Sequence, residues 1–241
     1  MAQKGMARKL KTTGISILDR TIGGGVPEGS MVYVSADPIS MYEVFLYQFT
    51  QSRKSYYFTT ERRPRYIKKD IEDLGFDASD RQIIFIDVYS QYYFTPTGEI
   101  ISSVGNEYAD AKILEFVEYN LYDILDKAED INIIMDSFSF FMNLNIGLGL
   151  IKRLLIQIYE ITKETNGLTY LYTLKDTHEN RIENMVMNAC DVIFNVELEK
   201  GADKIVSKLS IPKIRGMIPS MEMIKFKIGA GVQIDTSRDI V

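Results

Sequence analysis

The 241-residue chain contains a single cysteine, Cys190, and a single histidine, His178. One thiol leaves no disulfide to form within the chain. One thiol and one imidazole cannot furnish a Cys/His zinc site, and a histidine-based catalytic triad has only His178 to draw on. Long apolar runs are missing too. No stretch approaches the ~20 apolar residues a membrane span requires, and the run around Ile151 is interrupted by Lys152 and Arg153. Residues 1–11 carry Lys4, Arg8, Lys9 and Lys11 but no apolar leader core, so they read as a flexible basic arm on a cytoplasmic protein that does not engage membranes. The net charge of −5 disfavours a surface that is wholly a nucleic-acid footprint, while a local basic patch stays open. A composition of 46% hydrophobic and 25% charged residues excludes a mainly disordered or fibrous chain. No internal repeat, low-complexity tract or Pro/Gly linker divides the sequence, so one domain over 1–241 is expected.

What is present is alternation. Candidate strands at Met31 to Ala36, Ser55 to Thr60, Gln82 to Val88, Ile131 to Asp136 and Leu168 to Leu174 are nearly continuous in apolar or aromatic residues, as strands covered on both faces are. Between them the spacing becomes helical: Met41, Val44, Phe45 and Phe49; Ile67, Ile71 and Leu74; Ile113, Val117, Leu121 and Ile124; Ile151, Leu154, Leu155 and Ile158. Gly75 and Gly167 stand where the second and fourth helices need left-handed caps. A short helix near Ile182 to Ala189 follows. The runs Asp191 to Glu199, Ile205 to Arg215, Met223 to Ile228 and Gly231 to Ile234 then read as an antiparallel extension. The pattern predicts an α/β fold whose mainly parallel sheet is flanked by helices. Tyr89 to Asn106 breaks it: this irregular stretch holds Tyr89, Tyr92, Tyr93 and Phe94, suited to base stacking, to a subunit interface or to packing beneath the loop.

Open parallel sheets bind ligands at the carboxyl ends of their strands, which directs attention to Ser35-Ala36-Asp37-Pro38-Ile39-Ser40-Met41-Tyr42-Glu43. Before it runs Thr13-Gly14-Ile15-Ser16-Ile17-Leu18-Asp19-Arg20-Thr21-Ile22-Gly23-Gly24-Gly25-Val26-Pro27-Glu28-Gly29-Ser30. This stretch resembles the opening of KaiC-like and RadA-like proteins of the RecA ATPase superfamily, T-G-x-x-x-L-D-x-x-x-G-G-G-[IV]-P-x-G-S. Further matches keep the family's order. Tyr57-Phe58-Thr59-Thr60-Glu61-Arg62-Arg63-Pro64 is similar to its Y-x-S-x-E-E-x-P segment, Ile133-Ile134-Met135-Asp136-Ser137 to its Walker B strand, Lys213-Ile214-Arg215-Gly216 to its K-x-R-G element and Phe226 to Asp235 to its closing hairpin. The resemblance covers nearly the whole chain and implies a RecA-like P-loop NTPase fold that assembles through head-to-tail contacts.

It also implies a phosphate loop, G-x-x-x-x-G-K-[ST], in which glycines turn backbone N–H groups towards the anion, Lys reaches the β/γ-phosphates and the hydroxyl holds Mg²⁺. The four matching positions hold Ala36, Met41, Tyr42 and Glu43, and Ile39 stands on a further family glycine. Glu43 puts a carboxylate where phosphate would lie. At ~4 Å and an effective dielectric of ~20 the repulsion is about 4 kcal/mol. That is nearly a thousandfold in affinity at ~1.4 kcal/mol per decade. Arg62 replaces the second glutamate of the E-E pair, leaving Glu61 and Asp136 as relics, structural acceptors or a residual Mg²⁺ site.

By resemblance, Lys213 and Arg215 reach a neighbour's γ-phosphate; by residue type alone they lie on a solvated strand, with Gly216 permitting a turn. Arg62, Arg63, Arg65, Lys68 and Lys69 form the densest basic run, interleaved with Tyr66. They read as a solvated helix face or as a single-stranded nucleic-acid patch. The loop from Phe138 to Gly147 lacks Lys and Arg and suits protein contact. His178 is expected at the surface or in a cap, Cys190 buried and inert. The reading that emerges is a non-catalytic, pseudo-ATPase member of the family with no cofactor or metal, partnered by itself or by an active relative. An Mg-ATP binder with an unconventional loop and a recombinase-paralogue-like nucleic-acid module stand as alternatives.

Overall fold

The computed structural model describes residues 9–102, 104–127, 129–200, 205–218, 223–229 and 231–234. The elements in chain order are β1 (Leu10–Lys11), α1 (Ser16–Thr21), β2 (Val26–Pro27), β3 (Ser30–Ala36), α2 (Glu43–Phe49), β4 (Ser55–Thr59), α3 (Pro64–Asp73), β5 (Ile83–Asp87), α4 (Val88–Tyr93), α5 (Glu107–Leu125), β6 (Asn132–Asp136), α6 (Ser139–Met142), α7 (Leu148–Glu164), β7 (Leu168–Leu174), α8 (Asn180–Ala189), β8 (Val192–Lys200), β9 (Ile205–Ile214), β10 (Ile224–Gly229) and β11 (Gly231–Ile234).

Nine strands form one sheet in the order β11-β10-β9-β8-β3-β7-β6-β4-β5, and β1 pairs separately with β2. From β5 through β8 every pairing is parallel. Successive residues of a strand point to opposite faces, so the apolar runs feed two cores. Val32 and Val34 pack with α1, α2 and α3 on one face, and Met31 and Tyr33 with α5, α7 and α8 on the other. The mainly parallel sheet with helices on both faces is the α/β fold the alternation predicts, and the five central strands fall within a residue or so of the expected bounds.

Several expectations are corrected. The antiparallel extension expected from Asp191 onward is present, β8, β9, β10 and β11 pairing antiparallel in turn, and the expectation lacked only that β8 also runs parallel to β3. Position 166, not 167, takes the left-handed conformation after α7, at Asn166 with φ 54°. Gly167 is required for a different reason, since a Cβ there would lie 1.9 Å from the Ile131 carbonyl oxygen. The basic arm ends before Leu10, because Leu10–Lys11 pairs with Val26–Pro27 and Lys11 Nζ reaches Asp130 Oδ1 at 2.6 Å; positions 1–8 lie outside the described residues.

The aromatic stretch is not irregular throughout. Its start is α4, whose first turn is capped by Asp87 Oδ1 accepting from the Ser90 N–H at 2.8 Å. Tyr92 is buried, its hydroxyl donates to Asp110, and its ring meets Phe140 edge-on at 5.0 Å. The Phe138 to Gly147 loop turns inward rather than towards a partner, with Phe138, Phe140, Phe141 and Met142 all buried. Removal of four apolar side chains from water, at about 1.5–3 kcal/mol each, outweighs any surface role for them.

Candidate functional site

The carboxyl ends of β3, β7, β6 and β4 lie side by side, and α2 springs from the first of them. The connecting turn keeps a left-handed residue at Met41, φ 53°, where the phosphate-loop pattern has a glycine. Ile39 is not left-handed; it is 60% exposed and Met41 53%, so both side chains point out. Three N–H groups of the turn are engaged within the chain: Asp37 donates to the Val196 carbonyl at 3.2 Å, Ile39 to Asp37 Oδ1 at 3.1 Å and Ser40 to the Asp37 carbonyl at 2.9 Å. The Asp37 carboxylate thus takes an N–H that an anion would otherwise use.

Tyr42, at the position of the family lysine, lays its ring on Tyr172 of β7, with centroids 3.6 Å apart and planes 13° from parallel. Two helical turns on, Phe49 stacks on Tyr170 at 4.1 Å and 12°. Residues 170 and 172 share a face of β7, so α2 is pinned along that strand by two aromatic stacks. Sequence reasoning missed Tyr172. The Tyr-x-Tyr alternation in β7 was the available signal, but nothing local ties it to Tyr42.

Beneath the stack lies Asp136, 3% exposed at the end of β6. Tyr57 donates its hydroxyl to Asp136 Oδ2 at 2.7 Å, whereas Asp136 Oδ1 has no hydrogen-bond partner. Burial pushes the Asp136 carboxyl up to about 6, with the nearby Glu43 and Glu61 charges acting in the same direction and the Tyr57 bond and Arg62 opposing it. Burial also drives the Tyr42 and Tyr57 hydroxyls far above their ordinary range, Asp136 adding to both. Glu61 is exposed and accepts from the Ser137 hydroxyl at 3.2 Å. Arg62 turns away from it, donating to Asp70 Oδ2 at 2.6 Å and to the Tyr47 hydroxyl at 2.7 Å. The structure therefore brings Tyr42, Glu43, Glu61, Arg62 and Asp136 together, and adds Tyr57 and Tyr172.

These residues do not fit a bound Mg-ATP. No lysine, serine or threonine stands at positions 41–43, Glu43 opens α2 with a carboxylate, and the Tyr42 ring is seated against β7.

Lys213 and Arg215 are elsewhere. Ile193 of β8 pairs with Lys213, which sets both cations at the amino ends of β8 and β3, the far end of the sheet from the turn. Lys213 Nζ donates to the Met187 carbonyl at 2.9 Å, and Arg215 donates to the Asn188 carbonyl at 3.1 Å and pairs with Asp191 at 2.8 Å. They thus serve the carboxyl end of α8, where cations are favoured; a contact across a subunit boundary would require them to leave it. Gly216, φ 76°, makes the turn that follows.

The basic run is largely neutralised: Lys68 pairs with Asp80, Lys69 with Asp73, and Arg62 with Asp70. Arg63 lies over the Phe94 ring at 4.1 Å and Arg65 over Tyr66 at 4.6 Å. Together with Glu61 and Tyr89 they line a cavity of about 350 Å³. His178 is not merely a surface group: its Nε2 is 2.7 Å from the Ser139 hydroxyl, tying the loop before α8 to α6, and burial lowers its pKa. Cys190 is buried, and burial raises its thiol pKa, as an inert core thiol requires. Among the described residues no helix is long and apolar enough to cross a membrane.

Comparison with known proteins bears on the family and the fold. A family of unknown function, DUF7125, matches residues 10–241. A UPF0273 protein of Methanopyrus kandleri is 21% identical over 98% of this chain and 96% of its own length. The crystal structure of a KaiC-like protein from Pyrococcus horikoshii OT3 superposes with a TM-score of 0.72 at 18% identity, covering 95% of this chain and 99% of that one. The chain belongs to the DUF7125 family, and its fold is that of the KaiC-like protein.

Proposed function

We propose that this KaiC-like domain does not turn over ATP and acts as a binding or regulatory subunit, with an internal aromatic plug in place of the bound triphosphate. The observation that carries the reading is the Tyr42–Tyr172 stack, which occupies the mouth of the strand ends with the chain's own side chains. Three features support it. The lysine that would meet the β/γ-phosphates is replaced by that same Tyr42, Glu43 adds negative charge at the start of α2, and Asp37 accepts from the Ile39 and Ser40 N–H groups. A triphosphate arriving here would face Glu43, Glu61 and Asp136, while the nearby cations Arg62 and Lys175 are paired with Asp70 and Glu197. The partner that suits such a subunit is a second copy of itself or an active relative with an intact loop.

Thermal unfolding with and without Mg-ATP tests the reading. A ligand present at 100 times its dissociation constant stabilises by ~2.7 kcal/mol, so a nucleotide-binding domain would melt several degrees higher. The expected result is an unchanged midpoint at millimolar Mg-ATP. A clear upward shift overturns the proposal in favour of an unconventional ATP site. Binding of a single-stranded oligonucleotide that weakens steeply with salt would instead favour the nucleic-acid alternative through Arg63 and Arg65.

A further inference from the structure

Helix α5 presents an unusual outer face. Its inner face, formed by Ile113, Leu114, Val117, Leu121 and Ile124, is buried in the core. Beyond its first residue, the exposed positions are Tyr108, Lys112, Glu115, Tyr119 and Tyr122. Their spacing of four, three, four and three is that of a coiled-coil seam. Tyr108 is 74% exposed, Tyr119 72% and Tyr122 55%. At ~100° per residue the three rings fall within about 60° of one another around the helix axis. A solvated stripe is ordinarily charged. Here three amphipathic rings flank one cation and one anion, Lys112 and Glu115, which are paired at 2.7 Å.

The geometry points to an antiparallel, twofold contact between the α5 stripes of two copies of this chain. The charges fix the occupant and the register. With the twofold axis level with the midpoint of residues 113 and 114, Lys112 of one copy faces Glu115 of the partner subunit and the reverse, so the two intrachain pairs merge into one alternating four-charge cluster. The same register sets Tyr108 of each copy against Tyr119 of the other, giving two aromatic contacts that bracket the charges. A slip that sets Tyr108 against Tyr122 brings the two Glu115 side chains together, and one that sets Tyr119 against Tyr122 brings Glu115 against Asp126. An isologous interface must be self-complementary in this way. The contact is independent of the nucleotide question, because α5 belongs to the face of the sheet opposite α2.

Sedimentation velocity across roughly 1–100 μM, the range of weak specific interfaces, tests the inference. The wild-type chain is expected to form dimers within that range. Lys112→Glu and Glu115→Lys each put two like-charge pairs into the contact and should weaken dimerisation by about tenfold or more. The double variant Lys112→Glu/Glu115→Lys re-creates opposite pairs across the axis and should restore wild-type affinity. Tyr119→Ser should weaken it as the single charge changes do. Circular dichroism of each variant verifies that α5 is intact, as expected for substitutions at exposed positions. A chain monomeric throughout, an assembly indifferent to the single variants, or a double variant as weak as its parents would each overturn the proposal.

Discussion

The two turns that flank β3 are built on opposite terms. Before the strand, Gly23, Gly24, Gly25 and Gly29 all hold positive φ, between 68° and 129°. After it, the positions where the family pattern has glycines carry Ala36, Ile39 and Met41. In the approach, Gly25 is required because backbone packs against backbone: a Cβ there would sit 2.3 Å from the Lys11 carbonyl oxygen. The turn after β3 closes without them, through Asp37, a left-handed Met41 and the Tyr42 stack. In this fold, then, the glycines that shape the sheet and those that would cradle a phosphate answer to separate requirements, and the second set is dispensable to the architecture.

Gly25→Ala is the largest test of that contrast. It combines a clash with main chain and a forbidden φ, and should cost about 3 kcal/mol or more in denaturant unfolding. Gly23→Ala, with φ 83° but no atom within 4 Å of the added Cβ, should cost only about 1–2 kcal/mol. Equal losses would mean that the contact with Lys11 does not fix the approach.

Next in size is the buried carboxyl under the plug. Asp136 rises from an ordinary 3.8 to about 6 in the folded chain, so the folded state binds its proton more tightly than the unfolded one. The stabilisation this group provides is full below the ordinary carboxylate range and is lost as pH climbs through about 6. The shift corresponds to something on the order of 3 kcal/mol between about pH 4 and pH 7.5. Asp136→Asn, neutral throughout, should flatten that slope. An unfolding free energy whose pH dependence is the same in wild type and variant would show that Asp136 is not held in a dry site.

Much of this contrast was legible in the sequence, and the reason is local. The strands announce themselves as short apolar runs because both faces are buried, and Tyr42 can be read directly at the position where the resemblance places a lysine. What Tyr42 packs against could not be read, since Tyr172 meets Tyr42 only once β7 lies next to β3. Helix α4 escaped because its aromatic residues, Tyr89, Tyr92 and Tyr93, form no clean apolar stripe. Its Asp87 cap was visible in sequence but followed a strand with no intervening turn signal. The inward loop after Asp136 was misjudged for a similar reason: apolar side chains without charges suit a partner or the chain's own core equally well until α4 and Tyr92 are in place.

The stack itself should be worth less than the buried carboxyl. Tyr42→Ala removes a half-buried ring from a stacked contact and opens space above Asp136, for an expected loss of about 2 kcal/mol read as a lowered melting temperature. Mg-ATP should not rescue the variant, because removing the ring restores neither lysine nor hydroxyl and leaves Glu43 in place. Rescue by nucleotide would place the whole defect in the plug and not in the missing charge.

The smallest effect bears on the backbone of the turn. Met41 holds φ 53° with a side chain 53% exposed, so Met41→Gly relieves left-handed strain of about 1–2 kcal/mol while surrendering little buried surface. Against this stands the added freedom of glycine in the unfolded chain, about 0.5–1 kcal/mol. The net expectation is a gain of roughly 0.5 kcal/mol. Ile39→Gly meets the same entropic loss with no strain to relieve, so it should destabilise by about 0.5–1 kcal/mol. The two substitutions lie two residues apart in one turn, and opposite signs in the same denaturation experiment assign the left-handed position to Met41. Two losses would mean that the Met41 side chain holds the turn by contact, and the contrast with the glycine-built approach would then rest on packing and not on conformation.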